Sequence, residues 1–221
     1  MRCSVRRWRA APRGWRPDGG ARRGAAAMNR RPALFVDKDG TLVVDLPYNV
    51  DPALLAWQPA APQALAALAQ AGFAIVVVSN QQGLALGRFS AAQFEVLRQA
   101  LQERLLAEAG VELTDFLFCP HAPLANGAPA CACRKPEPGM LLAAAERHQL
   151  DLAASWMVGD TLDDVEAGRR AGCRSILYDS GGETLWRNGP LRAPQARVQD
   201  WDEVVHRVLA DSRAERPEGG P

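Results

Sequence analysis

At 221 residues the chain can bury one substantial core, and its net charge of +1 is the sum of two unlike parts. Residues 1–27 carry eight arginines and one acid; without them, 18 Lys and Arg face 24 Asp and Glu, a net charge of −6. That balance excludes a broad basic face for nucleic acid on the folded part, so any anion bound there must be held by a few local groups.

Residues 1–27 offer no apolar run long enough for a signal sequence or a membrane span. Rich in Arg, Ala, Gly and Pro, they are expected to form a disordered extension, with Met28 a candidate translation start. Their Pro and Gly content and the lack of a helical stripe speak against an organelle-targeting peptide. The folded domain is expected over 28–211, followed by a disordered tail over 212–221. Five cysteines without an export signal fit a reducing compartment, which makes the cytoplasm the expected location. The expected state is a monomer with neither membrane nor nucleic-acid partners.

The elements begin with a strand, ALFV at 33–36. Pro62 opens a helical stretch that Gly72 ends. The run AIVVV at 74–78 is continuously apolar, as expected of a strand buried on both faces. Ser90 and Gln93 form a capping box ahead of a long helix that Gly110 stops. DFLF (115–118), GMLLAAAERH (139–148), WMV (156–158), LDDVEAGRRAG (162–172) and RSILY (174–178) then alternate strand and helix, with RSILY the final predicted strand. This order predicts an α/β fold: a Rossmann-like parallel sheet with helices on both faces, right-handed crossovers and no large cap domain.

In such sheets ligands bind outside the carboxyl ends of the strands. ALFV runs into Asp37 and Asp39, AIVVV into Ser79 and Asn80, and WMV into Gly159 and Asp160. Side chains two apart on extended backbone point the same way, so Asp37 and Asp39 can share one small volume. Two carboxylates there repel unless a cation or a proton intervenes. A turn in which both accept backbone hydrogen bonds would explain the pair alone, and a calcium loop would need a third Asp or Asn before Gly40. With Asp160 arriving from another strand, a Mg²⁺ site fits better, because magnesium takes one or two carboxylates, keeps waters and binds substrate phosphate.

Cys119, His121, Cys131 and Cys133 fall within fifteen positions. Any two of them read as plain thiols or a solvent-facing imidazole. All four match the ligand set of a closed tetrahedral Zn²⁺ site, structural because no position is left for water. The spacing, C-x-H then C-x-C, is not that of a zinc finger. Its predicted role is to fix a loop rich in Ala, Pro and Gly, so that Arg134 and Lys135 stand over the site.

In this order and at these separations, DKDGT, VVSN, CRKPEPG and VGDTLDDVEAG resemble the four motifs of the haloacid-dehalogenase-type phosphatases. The resemblance runs from about Arg31 to Tyr178. With CPH and CAC inserted before RKP, it is similar to the branch acting on small sugar bisphosphates and, more distantly, to that acting on histidinol phosphate. It implies hydrolysis through an aspartyl phosphate. Asp37 would be the nucleophile, Asp39 the proton carrier, and Ser79 and Lys135 the donors to phosphoryl oxygens. Asp37, Asp160 and the main-chain oxygen of Asp39 would hold Mg²⁺.

The implied substrate is a heptose 1,7-bisphosphate, losing its C7 phosphate on the route to the nucleotide-activated heptose of lipopolysaccharide core. The resemblance maps a recognition loop onto Asp45, Leu46, Pro47 and Tyr48, and a second contact region onto Asn80, Gln81 and Gln82, with Arg134 and Thr161 also facing the substrate. Two departures bear on the grip on a distal phosphate. Leu86 stands before Gly87 where an arginine is expected, with Arg88 two residues on, and Thr161 stands where lysine is common.

Trp57, Trp156 and Trp201 read as packing residues, His148 as a helix-end cation and Cys173 as a small buried hydrophobe. Asp164 returns to the helical face of Asp160 and reads as a supporting acid, Asp163 as a solvated one. A zinc-stabilised binding module with residues 1–27 as a nucleic-acid arm is the reading of a different class. The intact set Asp37, Asp39, Ser79, Lys135 and Asp160 stands against it.

Overall fold

The computed structural model describes residues 30–182 and 186–214; the expected extension, its Met28 start and residues 215–221 lie outside them. Six strands, β1 (Ala33–Val36), β2 (Ala74–Asn80), β3 (Asp115–Cys119), β4 (Trp156–Gly159), β5 (Arg174–Tyr178) and β6 (Ala196–Val198), form one sheet in the order β3-β2-β1-β4-β5-β6. Every neighbouring pair is parallel. The helices between and after them are α1 (Ala61–Gln70), α2 (Ala91–Ala109), α3 (Gly139–His148), α4 (Leu162–Ala171) and α5 (Trp201–Ala214).

Alternation along the strands sorts the core into two layers. Leu34, Val36, Ile75, Val77, Trp156 and Val158 pack with Leu65 and Leu68 of α1, Phe94, Leu97 and Leu101 of α2, and Trp201, Val204 and Val208 of α5. Ala33, Phe35, Val76, Val78 and Met157 pack with Met140, Leu141 and Ala144 of α3 and Ala167 and Ala171 of α4. Because both faces are covered, the strands read as unbroken apolar runs. The helix ends follow their sequence signals. Ser90 and Gln93 make the reciprocal cap of α2, which Gly110 closes at φ 66° in the left-handed region.

RSILY is not the last strand. Beyond it, β6 extends the sheet and α5 covers it, with Trp201 Nε1 donating to the carbonyl of Thr41 at 3.1 Å. α5 reaches Ala214, into the stretch expected as a tail. Between β1 and α1, residues 38–60 hold one short 3-10 turn, Pro52–Leu54, and no inserted domain. Among the described residues no helix is long and apolar enough to cross a membrane.

Candidate active site and metal-ligating loop

The strand order reverses between β1 and β4, the place where such sheets open a crevice. Val36 pairs with Val158, and the amide of Asp37 donates to the Val158 carbonyl at 2.9 Å. Asp37 and Asp160 therefore leave the sheet side by side. Gly40 makes the turn after β1 at φ +80°, and a Cβ there would stand 2.1 Å from Asp160 Oδ2. One oxygen from each of Asp37, Asp160 and Asp164 lies within 4.8 Å of the others. Asp164 is held in place by the main-chain N–H of Thr161 at 3.1 Å and its hydroxyl at 2.6 Å, the cap of α4. The acid expected only to support the site is thus part of the cluster.

Lys135, 3% exposed, enters from the cysteine loop and fills the space between these acids. Its Nζ bonds Asp37 Oδ1, lies 2.6 Å from Asp164 Oδ1 and donates to the Val78 carbonyl at 2.9 Å. Burial opposes its charge, but Asp164 and Asp37 outweigh burial and hold it above the ordinary lysine value. Burial, opposed by Lys135 and reinforced by Asp164 and Asp39, pushes Asp37 up to about 7. Burial, with Asp37 and Asp164 adding, pushes Asp160 up to about 8. One ammonium against three carboxylates leaves excess negative charge in a desolvated volume, and the donors are all oxygen. The residues present fit a hard divalent cation.

The carboxylate of Asp39 does not join this cluster. Lys38, itself buried, bonds its Oδ1, and Gln81 Nε2 donates to its Oδ2 at 2.8 Å. Asp37, Asp39, Ser79 and Lys135 border one cleft of about 710 Å³ together with Asp45, Asn80, Gln82, Arg134, Asp160 and Thr161. Leu46, Pro47, Tyr48 and Gln81 border an adjoining depression of about 270 Å³. The residues expected at the site thus border one cleft and its neighbour, with the Asp39 carboxylate set apart from the acid cluster. Asn80 has both ends of its amide engaged by the main chain of Lys135, each at 3.1 Å. Tyr48 adopts φ 59°, and the Arg88 guanidinium sits 5.6 Å from its ring centre. Arg88 thus reaches the loop that carries Tyr48.

At the end of β3 the four cluster ligands converge: five of the separations among Cys119 Sγ, His121 Nδ1, Cys131 Sγ and Cys133 Sγ span 3.3 to 3.5 Å. Those gaps are far longer than a disulfide bond of about 2.05 Å. They approach the edges of a tetrahedron, about 3.8 Å between sulfurs for metal–sulfur bonds of about 2.3 Å. A hydrogen bond from Cys133, with further ones from His121, holds the Cys119 thiol well below its usual range, toward the thiolate that ligates metals. Arg134 follows directly and donates to the His121 carbonyl and to Gln82 Oε1, both at 3.2 Å. The loop that gathers the cysteines thus also aims Arg134 and Lys135.

Asp163 is not simply solvated, since Arg192 pairs with it at 2.7 Å and with Glu166 at 2.6 Å. Trp156 and Trp201 are fully buried, while Trp57 lies half-buried against α2, donating to Glu108 at 2.6 Å. His148 ends α3 beside Asp115 at 2.8 Å, and Cys173 is buried.

A family model described as HAD-hydrolase-like matches residues 132–203. Over 184 residues the chain is 39% identical to the D-glycero-beta-D-manno-heptose-1,7-bisphosphate 7-phosphatase of Escherichia coli K12, covering 81% of this chain and 91% of that protein. This chain belongs to the HAD-type phosphatases. It is a phosphoric monoester hydrolase. The Helicobacter pylori enzyme of the same name is 35% identical over 180 residues, 80% of this chain and 98% of its own. Among solved structures, the D,D-heptose 1,7-bisphosphate phosphatase of B. bronchiseptica, complexed with magnesium and phosphate, superposes with a TM-score of 0.71 at 33% identity, covering 81% of this HAD-type phosphatase and 99% of that chain.

Proposed function

We propose that this phosphatase removes the C7 phosphate of D-glycero-β-D-manno-heptose 1,7-bisphosphate through an aspartyl phosphate on Asp37. The observation that carries the chemistry is a buried carboxylate, Asp37, held against Lys135, with a second carboxylate, Asp39, kept apart on its own donors. The substrate follows from the likeness to the enzymes that bear that name.

Asp37 attacks phosphorus, and the Lys135 ammonium and Ser79 hydroxyl stabilise the charge spreading over the phosphoryl oxygens. Asp39 gives its proton to the departing sugar oxygen and then takes one from the water that hydrolyses the acyl phosphate. Asp37, Asp160 and the main-chain oxygen of Asp39, with Asp164 behind them, would hold Mg²⁺, which supplies neutralisation of carboxylate and phosphate charge. Cys119, His121, Cys131 and Cys133 would hold a structural Zn²⁺. Arg134 selects the substrate, and Tyr48, with Arg88 against its ring, borders the depression reached by the substrate's distal end.

Phosphate release with Mg²⁺, compared across both heptose 1,7-bisphosphate anomers, fructose 1,6-bisphosphate and histidinol phosphate, tests the reading. The highest kcat/KM is expected on a heptose bisphosphate. A preference for histidinol phosphate would replace the substrate, and no release from any ester would overturn the function.

A further inference from the structure

We infer that Gln81 is a positioning residue that sets the direction of both Asp39 and Ser79 and acts through them, not through contact with the sugar. The inference rests on the reading of Asp39 as proton carrier and Ser79 as phosphoryl donor. β2 runs out through Ser79 and Asn80 into Gln81, whose own N–H donates to the Cys119 carbonyl at 2.8 Å. Asn80 turns to clamp Lys135, while Gln81 turns back beside Ser79 and is only 7% exposed.

The direction of its amide follows from the two oxygens that its nitrogen meets. Lys38 bonds one oxygen of the Asp39 carboxylate, and the other oxygen accepts a hydrogen bond. The group facing that oxygen at 2.8 Å is Gln81 Nε2, which only donates. The same nitrogen lies 2.8 Å from Ser79 Oγ, so its second hydrogen goes there. A serine that accepts at that side has its own hydrogen left to point elsewhere, into the cleft that Ser79 borders. One NH₂ group thus aims the proton carrier and leaves Ser79 a donor toward a phosphoryl oxygen.

The test uses Gln81→Met and Gln81→Glu, both close in length, with the sugar bisphosphate and with p-nitrophenyl phosphate, whose leaving group departs without a proton. On the sugar, kcat/KM is expected to fall about a hundredfold, mostly in kcat, as for a misaligned catalytic group. The aryl ester should lose markedly less, the remainder reporting Ser79. In an Asp39→Asn background, Gln81→Met should add little on the sugar bisphosphate, because neighbours acting as a unit are not additive. Equal losses on both esters, full additivity with Asp39→Asn, or a rise in KM alone would each overturn the inference. Should Gln81→Met fail to fold, Gln81→Glu carries the comparison. A wild-type protein inactive on every phosphate ester would sink the proposed function itself, whereas an active one with unaffected Gln81 variants sinks this inference alone.

Discussion

Asp37 and Asp39 are two residues apart and sit in different surroundings. Asp37 is 7% exposed and pinned by Lys135 against two more acids, whereas the Asp39 side chain is 31% exposed and held by Lys38 and Gln81 at the edge of the cleft. Asp37→Asn should therefore abolish phosphate release, because the amide is neither a nucleophile nor an anionic ligand. Asp39→Asn should lower turnover by about 10² to 10⁴ and let phosphoenzyme accumulate. Equal, mild losses in the two variants would contradict this division. Gly40 tests the same spot differently. A Cβ there meets Asp160 and faces a positive φ, so Gly40→Ala should raise the Mg²⁺ concentration needed for half-maximal rate; an unchanged Mg²⁺ dependence would mean that Asp160 is not a ligand. That Asp37 and Asp39 border one cleft was legible because the motif is local; that Lys38 and Gln81 hold the second carboxylate apart was not. The burial of Lys38 and the Asp163–Arg192 pair were not, since the latter joins residues 29 apart that only the fold brings together.

Among the elements, the loop between β3 and α3 has no strand or helix of its own, and its His121, Cys131 and Cys133 gather against Cys119 of β3. Freshly purified protein should contain about one Zn²⁺ per chain. Cys131→Ser should loosen the loop, raise protease cutting between Pro120 and Arg134, and lower turnover although no catalytic residue has changed. Absent zinc, or full activity in Cys131→Ser, would mean that these are merely thiols. At the other end of the chain, Trp201 is buried and bonds Thr41 in the turn after β1. Trp201→Ala should destabilise by about 3–5 kcal/mol, read as a fall in Tm. The α5 stripe Trp201, Val204, Val205, Val208, Leu209 was present in the sequence at helical spacing. What hid the C-terminal elements was β6, three residues long with an arginine at its centre, too short to carry a period.

For the molecule as a whole, alternation of strand and helix announced a parallel sheet, because parallel neighbours need crossover helices. The strand order was not legible, since short Val- and Ile-rich runs of equal character can pair in many ways. That order nevertheless makes the site. It sets β1 against β4 at the reversal, and so Asp37 against Asp160, with β2 delivering Ser79 and Gln81 on one side. The most direct measurement is at Asp37 itself. Asp39→Asn protein is mixed with heptose 1,7-bisphosphate and Mg²⁺, quenched in acid, and the phosphorylated peptide is mapped by mass spectrometry. A phosphoryl group on Asp37 is the predicted result. A phosphoryl group on another residue, or phosphate released with none on the protein at any time, would contradict it.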